Sequence, residues 1–135
     1  SNPQSGDWNS IYFYNSGIDT LKHCDIEYGQ GIHCASGSNI RLNNVSVTNC
    51  PPFGLYMNNA FAIVDSCNFS NNGTSGIYLY SSGPHISHTT CTNNNFGLFC
   101  YNDYSDPNIG YSTFSNNNGD GIFSMYYAVP WLFYF

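Results

Sequence analysis

Five carboxylates are the side chains best suited to chemistry. Asp25 and Glu27 are two positions apart, so a strand would present both on one face. Paired carboxylates can act as general acid and base in the hydrolysis of sugars. Asp103, Asp106 and Asp120 form a second group whose oxygens could bind Ca²⁺, but their spacing matches no known calcium-binding loop. An ordinary Asp-Pro turn explains this group better, so no metal site is predicted.

Histidine and cysteine side chains could also bind metals or act as nucleophiles. His85 and His88 flank an apolar residue without a third ligand, so we expect them to be structural or exposed to solvent. The cysteines include no Cys-x-x-Cys pair, which argues against a zinc or redox site. We expect them to remain unpaired and to fill the core as small apolar groups. The six are Cys24, Cys34, Cys50, Cys67, Cys91 and Cys100.

The composition excludes several classes of partner. The 135 residues include 2 Lys or Arg against 8 Asp or Glu, which gives a net charge of −6. Without a basic patch, nucleic acids and anionic membranes are poor partners. No apolar run approaches the roughly 18 residues of a membrane-spanning helix, so no membrane insertion is predicted. Because 41% of the residues are hydrophobic and 18% are aromatic, we expect a folded core rather than disorder.

An internal repeat determines how these residues are positioned. Apolar residues, most of them directly after a glycine, recur about every 22 residues at Ile11, Ile32, Leu55, Ile77, Leu98 and Ile122. A second series has the same period: Leu21, Leu42, Val64, Ile86 and Ile109. The hydrophobic pattern within each repeat alternates with period two, which is typical of strands. One repeat is too short to bury its own apolar side, so the repeats must stack as turns of a coil.

Stacking aligns equivalent residues in columns along the coil. An Asn recurs at one corner, where it tolerates a left-handed backbone and where stacked amides can hydrogen-bond along the axis. This predicted amide ladder comprises Asn49, Asn71, Asn93 and Asn116. The positions above Asp25 and Glu27 hold hydroxyl or amide side chains in every later repeat, so that pair has no carboxylate partner in the next turn.

The repeats resemble a known family. The segments Cys67-Asn68-Phe69-Ser70-Asn71-Asn72 and Phe114-Ser115-Asn116-Asn117-Asn118, each followed shortly by Gly-Ile, resemble right-handed parallel β-helix repeats of the pectate-lyase-like superfamily, of the type found in secreted bacterial proteins. The resemblance implies an all-β fold, a single right-handed parallel β-helix (solenoid) of about six turns. We expect one domain over residues 1–135, with repeats at 8–127 and an aromatic C-terminal tail at 128–135.

The resemblance alone does not decide the activity, because this fold serves lyases, hydrolases, adhesins and inert scaffolds. The lyases use Asp clusters for Ca²⁺ and an arginine as base. Here Lys22 and Arg41 are the only Lys or Arg cations, and the carboxylates are scattered. We therefore predict a protein that is not an enzyme and has no cofactor.

Outward-facing aromatic residues are the best candidates for an interaction surface. The predicted aromatic stripe comprises Tyr12, Tyr14, Tyr56, Tyr78, Tyr80, Phe99, Tyr101 and Phe123. The uncharged tail adds predicted end contacts at Trp131, Phe133 and Phe135. The main hypothesis is an extracellular or cell-surface structural or adhesive protein that self-associates through its open ends and this stripe, forming filaments if the ends stack.

Two alternatives remain open at this point. The stripe could instead bind polysaccharide, either as a carbohydrate-binding module or as part of a polysaccharide-active protein. A minor alternative is ice binding on two columns of mainly hydroxyl side chains, Ser46/Thr48, Asn68/Ser70, Thr90/Thr92 and Thr113/Ser115.

Overall fold

Short period-two segments separated by Asn, Ser and Gly form fifteen strands in the described part of the chain. The computed structural model describes residues 2–133, and it shows strands and turns but no helix in that part of the chain. In chain order the strands are β1 (Ile11–Tyr14), β2 (Ile18–Glu27), β3 (Ile32–Ala35), β4 (Asn39–Thr48), β5 (Phe53–Asn58), β6 (Phe61–Asp65), β7 (Asn68–Ser70), β8 (Ser75–Tyr80), β9 (His85–Ser87), β10 (Thr90–Thr92), β11 (Phe96–Tyr101), β12 (Asn108–Gly110), β13 (Thr113–Ser115), β14 (Ile122–Met125) and β15 (Trp131–Phe133).

Equivalent strands of successive turns pair with each other in parallel. The first sheet has six strands in the order β1-β3-β5-β8-β11-β14. The second sheet has nine; β2 and β4 cross it as continuous strands of ten residues, whereas later turns divide the same path into two segments. Each full turn therefore has three strand segments, and equivalent residues such as Leu55 and Ile77 are 22 positions apart. The predicted all-β parallel solenoid of about six turns is confirmed.

Residues with a left-handed backbone mark the three corners of each turn. Their φ angles lie between 36° and 77°. Asn and Ser are frequent here because short polar side chains tolerate this conformation better than bulky ones. The three corner columns are Asn15/Ser36/Asn59/Ser81/Asn102/Tyr126, His23/Asn44/Ser66/His88/Tyr111 and Tyr28/Asn49/Asn71/Asn93/Asn116.

The inward columns form one continuous apolar core. Ile32, Leu55, Ile77 and Leu98 stack in register and are 0% exposed, as the repeat predicts. All six cysteines are free thiols. Five of them are buried, as predicted for core filler, whereas Cys24 is only partly buried. Burial raises the pKa of the Cys34 thiol to about 12, so this group stays protonated and unreactive at neutral pH.

The segment predicted to be a tail continues the coil. β15 pairs in parallel with β12, and Leu132 lies opposite Ile109. The backbone N–H of Val129 donates to Asp106 Oδ1 at 2.7 Å, and this hydrogen bond holds the segment that precedes β15. Phe135, a predicted end contact, lies outside the described residues. Among residues 2–133, no helix has the length and apolarity needed to cross a membrane.

Candidate functional site

A ladder of buried amides runs along the third corner, one residue beyond the predicted column. The predicted residues Asn49, Asn71, Asn93 and Asn116 occupy the left-handed corner itself. The amides that bond along the axis belong to the next residues, Asn72, Asn94 and Asn117. Their Oδ1 atoms accept hydrogen bonds of 2.8–3.0 Å from backbone N–H groups of the preceding turn, those of Cys50, Asn72 and Asn94.

The same amides also satisfy backbone carbonyls. Nδ2 of Asn72 donates to the carbonyl of Val47, and Nδ2 of Asn94 donates to that of Phe69, at 2.9 and 3.1 Å. The prediction is therefore corrected by one position. The chain changes direction at the left-handed residue, which leaves that side chain outside and places the next one over the core.

Hydroxyl groups play the equivalent part at the other two corners. At the second corner, Thr89 Oγ1 accepts from the N–H of Cys67, and Ser112 Oγ accepts from the N–H of Thr89. At the first corner, Ser82 Oγ accepts from the N–H of Ala60 at 3.1 Å. Because buried backbone groups need partners, these neutral side chains stabilise a coil that has almost no charged ones.

The aromatic stripe lies on the outer face of the first sheet as columns of stacked rings. In the main column the ring centroids of Tyr56 and Tyr78 are 5.6 Å apart, and those of Tyr78 and Phe99 are 5.0 Å apart, with interplanar angles of 20° and 12°. Tyr12 and Tyr14, at the N-terminal end, are 60% and 64% exposed, whereas the other members are partly buried. The middle rings therefore cover one another's faces and present mainly their edges to solvent.

Two aromatic residues outside the predicted stripe reinforce it. Phe53 lies 4.7 Å from Tyr78, and Phe96 lies 5.2 Å from Phe99, between ring centroids. Both are the first residues of their strands, two positions before the apolar residue that follows the glycine, Leu55 in β5 and Leu98 in β11. Their recurrence in β5 and β11 was visible in the sequence, but it falls outside the two columns that define the stripe.

His33 takes the place of an aromatic ring in the main column. Its ring centroid is 5.4 Å from that of Tyr56 and 6.3 Å from that of Tyr12. Its Nε2 atom is buried and has no hydrogen-bond partner among the described residues. Burial lowers the pKa of this imidazole, and a hydrogen bond with the backbone of Gln30 opposes the effect more weakly.

Acidification below pH 6.5 should destabilise the protein through His33. Since the folded-state pKa lies below the ordinary value of 6.5, the stabilising contribution of the neutral ring is complete above that pH and is lost as the pH falls toward the folded-state pKa. Urea midpoints measured from pH 7.5 to 5 on wild-type and His33→Phe protein test this. The variant should lose part of the pH dependence, and equal slopes for the two proteins would contradict the assignment.

The C-terminal end of the coil exposes core positions. In one inward column Leu42, Val64, Ile86 and Ile109 are 0–1% exposed, whereas Leu132, the last member, is 52% exposed. At the same end of the coil, an open hollow of about 390 Å³ is lined by Ser112, Thr113, Phe114, Ser115, Gly121 and Ile122. No described strand pairs with the outer edges of β13, β14 and β15. The predicted end contacts Trp131 and Phe133 lie on this edge and are 56% and 47% exposed.

The N-terminal end is partly covered by Trp8. The indole Nε1–H donates to the carbonyl of Glu27 at 2.8 Å, and the ring lies directly against Gly29. The outer edges of β1 and β2 have no strand partner among the described residues. Ile18 remains 61% exposed there. The two ends of the described coil therefore both present unpaired parallel edges.

The carboxylates singled out from the sequence do not meet. Glu27 Oε1 accepts a hydrogen bond from Thr48 Oγ1 at 3.2 Å, and Asp25 lies opposite Ser46. Asp106 bonds to the backbone of Val129, as described above, while Asp103 and Asp120 are exposed. In residues 2–133 no three His, Cys, Asp or Glu side chains are grouped closely enough to hold a metal ion. The hydroxyl columns are aligned in register from β4 to β13, and ice binding stays a prediction.

A polar network around Asp65 was missed in the sequence. Its carboxylate accepts hydrogen bonds from Asn43 Nδ2, Ser66 Oγ and Ser87 Oγ, at 3.1, 3.2 and 2.7 Å. His88 Nδ1 lies 3.0 Å from Oδ1. The hydrogen bond from Ser87 most of all, and then the contacts with His88 and Ser66, lower the pKa of Asp65 against the opposing effect of burial. The column Asn43, Asp65, Ser87 has the spacing of the repeat, and this was the signal that could have revealed it.

A shallow hollow adjoins this network. It is lined by the chain's one Lys and one Arg, Lys22 and Arg41, by the polar column Asn43, Asp65 and Ser87, and by the apolar residues Leu42 and Ile63. The hollow is the one place in the described structure where cations, a carboxylate and neutral hydrogen-bonding groups lie together.

Comparison with known protein families agrees with this architecture. A family model described as a right handed beta helix region matches residues 2–129. Searches of curated proteins and of solved structures return no match.

Proposed function

Since the chain belongs to the right-handed β-helix family, we propose that it is a non-catalytic structural rod that associates end to end with copies of itself. The exposure of Leu132 carries the proposal. Equivalent residues inside the coil are fully buried, so the last described turn has the surface of a core that no other described turn covers. An extracellular or cell-surface location is part of the proposal and fits the neutral polar surface.

Matching edges support a second copy as the partner. β1 of a second copy could pair with β14 in the same way that β3 pairs with β1 within one copy, one turn further along the axis. Both edges are parallel and belong to the same sheet. In that register Ile11 would cover Ile122 and Leu21 would cover Leu132. The columns of the aromatic stripe would continue across the junction, with Tyr12 above Phe123. Such a head-to-tail contact does not close on itself, so repetition builds a filament.

The hollow beside β13 has a matching group at the other end. Counting back along the third-corner column, Trp8 is one repeat before Gly29, and in the second copy it would lie directly above Asn117. The indole would then fill the space between Phe114 and Gly121 instead of leaving it open. Burying a large aromatic side chain at the centre of the contact is the usual source of most of its binding energy.

A charge at the end of the rod should break this contact. Leu132→Glu would place a carboxylate where the next turn packs, and burying it without a partner is costly. We expect self-association to weaken at least about tenfold. Ile63→Glu is the matched control, because Ile63 is 37% exposed on the side of the rod and takes the same substitution away from both ends.

Sedimentation velocity over a range of concentrations measures the effect. Wild-type protein and Ile63→Glu should form larger species as concentration rises, and Leu132→Glu should remain monomeric to higher concentration. A wild-type protein that stays monomeric throughout would refute end-to-end association. Equal behaviour of the two Glu variants would show that association does not use this end.

Carbohydrate binding is the second candidate function. The hollow beside Asp65 favours it, because charged and hydrogen-bonding side chains on a shallow surface fit hydroxylated ligands. The stripe is less suited, since ring faces that could stack on sugars are covered by neighbouring rings. Retention on immobilised polysaccharide that is lost in Arg41→Gln, with assembly intact, would favour this function over the structural one.

A further inference from the structure

Tyr80 and Tyr101 form a stacked pair, with no third ring in the stack, on the outer face of the first sheet. They lie directly opposite each other on β8 and β11. Their ring centroids are 5.6 Å apart with an interplanar angle of 18°. The neighbours of this pair in the same column are Asn58 and Met125, so no further stacked ring competes along the column.

The other stacked tyrosine pair is more enclosed. Tyr78 has Tyr56 on one side, Phe99 on the other and Phe53 within 4.7 Å, so both faces of its ring are covered. Burial raises the pKa of the Tyr78 phenol, and the nearby phenols of Tyr56, Tyr101 and Tyr80 add to the effect. A phenol held in its protonated form is harder to oxidise. Tyr126 touches Tyr101 only edge-on, at 64°.

We propose that Tyr80 and Tyr101 are a site of oxidative cross-linking, at which a one-electron oxidant such as a peroxidase with hydrogen peroxide joins the two rings as dityrosine. Each phenol gives one electron to the oxidant and its hydroxyl proton to solvent. The two phenoxyl radicals couple through ring carbons adjacent to their oxygens and form one carbon–carbon bond. The hydrogens on those carbons then move to the oxygens and restore both aromatic rings. The protein loses two hydrogen atoms, and one hydrogen peroxide becomes two water molecules.

The rod geometry favours this reaction within one chain. Parallel strands hold the two rings stacked on each other before oxidation, so the two radicals can couple without first diffusing together. The bond would fasten two adjacent turns at positions 80 and 101, much as a disulfide closes a loop. The buried thiols, with pKa values raised to about 12 at Cys34 and Cys100, would not compete for the oxidant through their thiolates. The inference does not depend on end-to-end association.

The test is oxidation of dilute protein with horseradish peroxidase and hydrogen peroxide. Dityrosine fluorescence should appear without a change in molecular mass on a denaturing gel. Mass spectrometry of protease digests should find one peptide pair that contains residues 80 and 101 and lacks two hydrogen atoms. The urea midpoint of the oxidised protein should be higher than that of the untreated protein.

Matched variants test whether ring stacking or solvent exposure determines which tyrosines are cross-linked. Tyr80→Phe and Tyr101→Phe keep the stack but remove one phenol, and each should reduce the fluorescence at least severalfold. Tyr104 and Tyr127 are the most exposed of the tyrosines that the structure describes, at 79% and 86%, yet Tyr104→Phe and Tyr127→Phe should leave the yield unchanged. Cross-links that map to Tyr104, Tyr127, Tyr126 or the Tyr56–Tyr78 pair, or that join separate chains, would overturn the assignment. Circular dichroism verifies that each Phe variant is folded.

Discussion

Replacing Asn94 with Ala should lower the free energy of unfolding by roughly 4 kcal/mol, because two buried backbone groups lose their partners at about 1–3 kcal/mol each. Asn94 Oδ1 accepts from the N–H of Asn72 at 2.8 Å, and its Nδ2 donates to the carbonyl of Phe69 at 3.1 Å. Asn94 is 1% exposed, so water cannot take over either bond without entering the core. The ladder would be interrupted in the middle of the rod.

The adjacent Asn95 supplies the control. It has the same side chain, but it is exposed and makes no side-chain hydrogen bond among the described residues, so Asn95→Ala should change stability by less than about 0.5 kcal/mol. Urea denaturation followed by circular dichroism, at a concentration low enough to keep the protein monomeric, gives both values. If Asn94→Ala is too unstable to fold, Asn117→Ala can replace it. Asn117 lies nearer the open end of the coil, so its loss should lower the free energy of unfolding by a smaller amount. Similar effects at positions 94 and 95 would mean that the amide ladder does not stabilise the coil.

Gly54→Ala should lower the free energy of unfolding by about 3 kcal/mol, which is at the upper end of the usual range for overpacking a core. A Cβ atom at this position would lie 2.6 Å from the carbonyl oxygen of Gly76 and 2.7 Å from Nδ2 of Asn72. The first is a backbone atom of the next turn, and the second is fixed by the amide ladder, so neither can move aside easily. The glycines before the apolar positions of β5, β8 and β11, namely Gly54, Gly76 and Gly97, are therefore required by close packing beneath the ladder.

Gly17→Ala tests whether this effect is specific. A Cβ there meets nothing within 4 Å, and the backbone is outside the left-handed region, so the change should be neutral or slightly stabilising. The thermal and urea unfolding midpoints of Gly54→Ala should be clearly lower than those of Gly17→Ala. A Gly54→Ala protein as stable as Gly17→Ala would contradict the packing described for the third corner.

The architecture could be predicted because its signals repeat. One repeat contains an ambiguous set of short apolar runs, but the same phase in successive repeats fixes the strands, the inward columns and the parallel register together. Ile32, Leu55 and Ile77 are opposite one another for this reason. The burial of Cys34, Cys67, Cys91 and Cys100 followed from the same columns.

The amide ladder shows what the repeat could not resolve. The corner carries two or three consecutive asparagines in three turns, Asn71–Asn72, Asn93–Asn95 and Asn116–Asn118, so the sequence alone does not say which one points inward. The decision depends on which residue adopts the positive φ angle. A left-handed corner residue faces out, and the following residue then bonds over the core.

The last strand had a signal that was overlooked. Pro84, Pro107 and Pro130 recur at the spacing of the repeat, and each comes directly before a strand of the second sheet. This recurrence places Trp131–Phe133 in the coil rather than in a tail. Ring stacking in the stripe was less accessible, because it depends on side-chain rotamers and on the distance between turns, neither of which the pattern specifies.

Electron microscopy of the purified chain tests the central proposal, end-to-end association, most directly. One molecule of about six turns is a particle about 30 Å long, since turns are spaced about 4.8 Å apart. At concentrations where sedimentation detects association, images should show continuous thin rods many times longer than one molecule, with an axial repeat near 4.8 Å in diffraction. Isolated short particles at every concentration, or disordered clusters without that axial repeat, would contradict it.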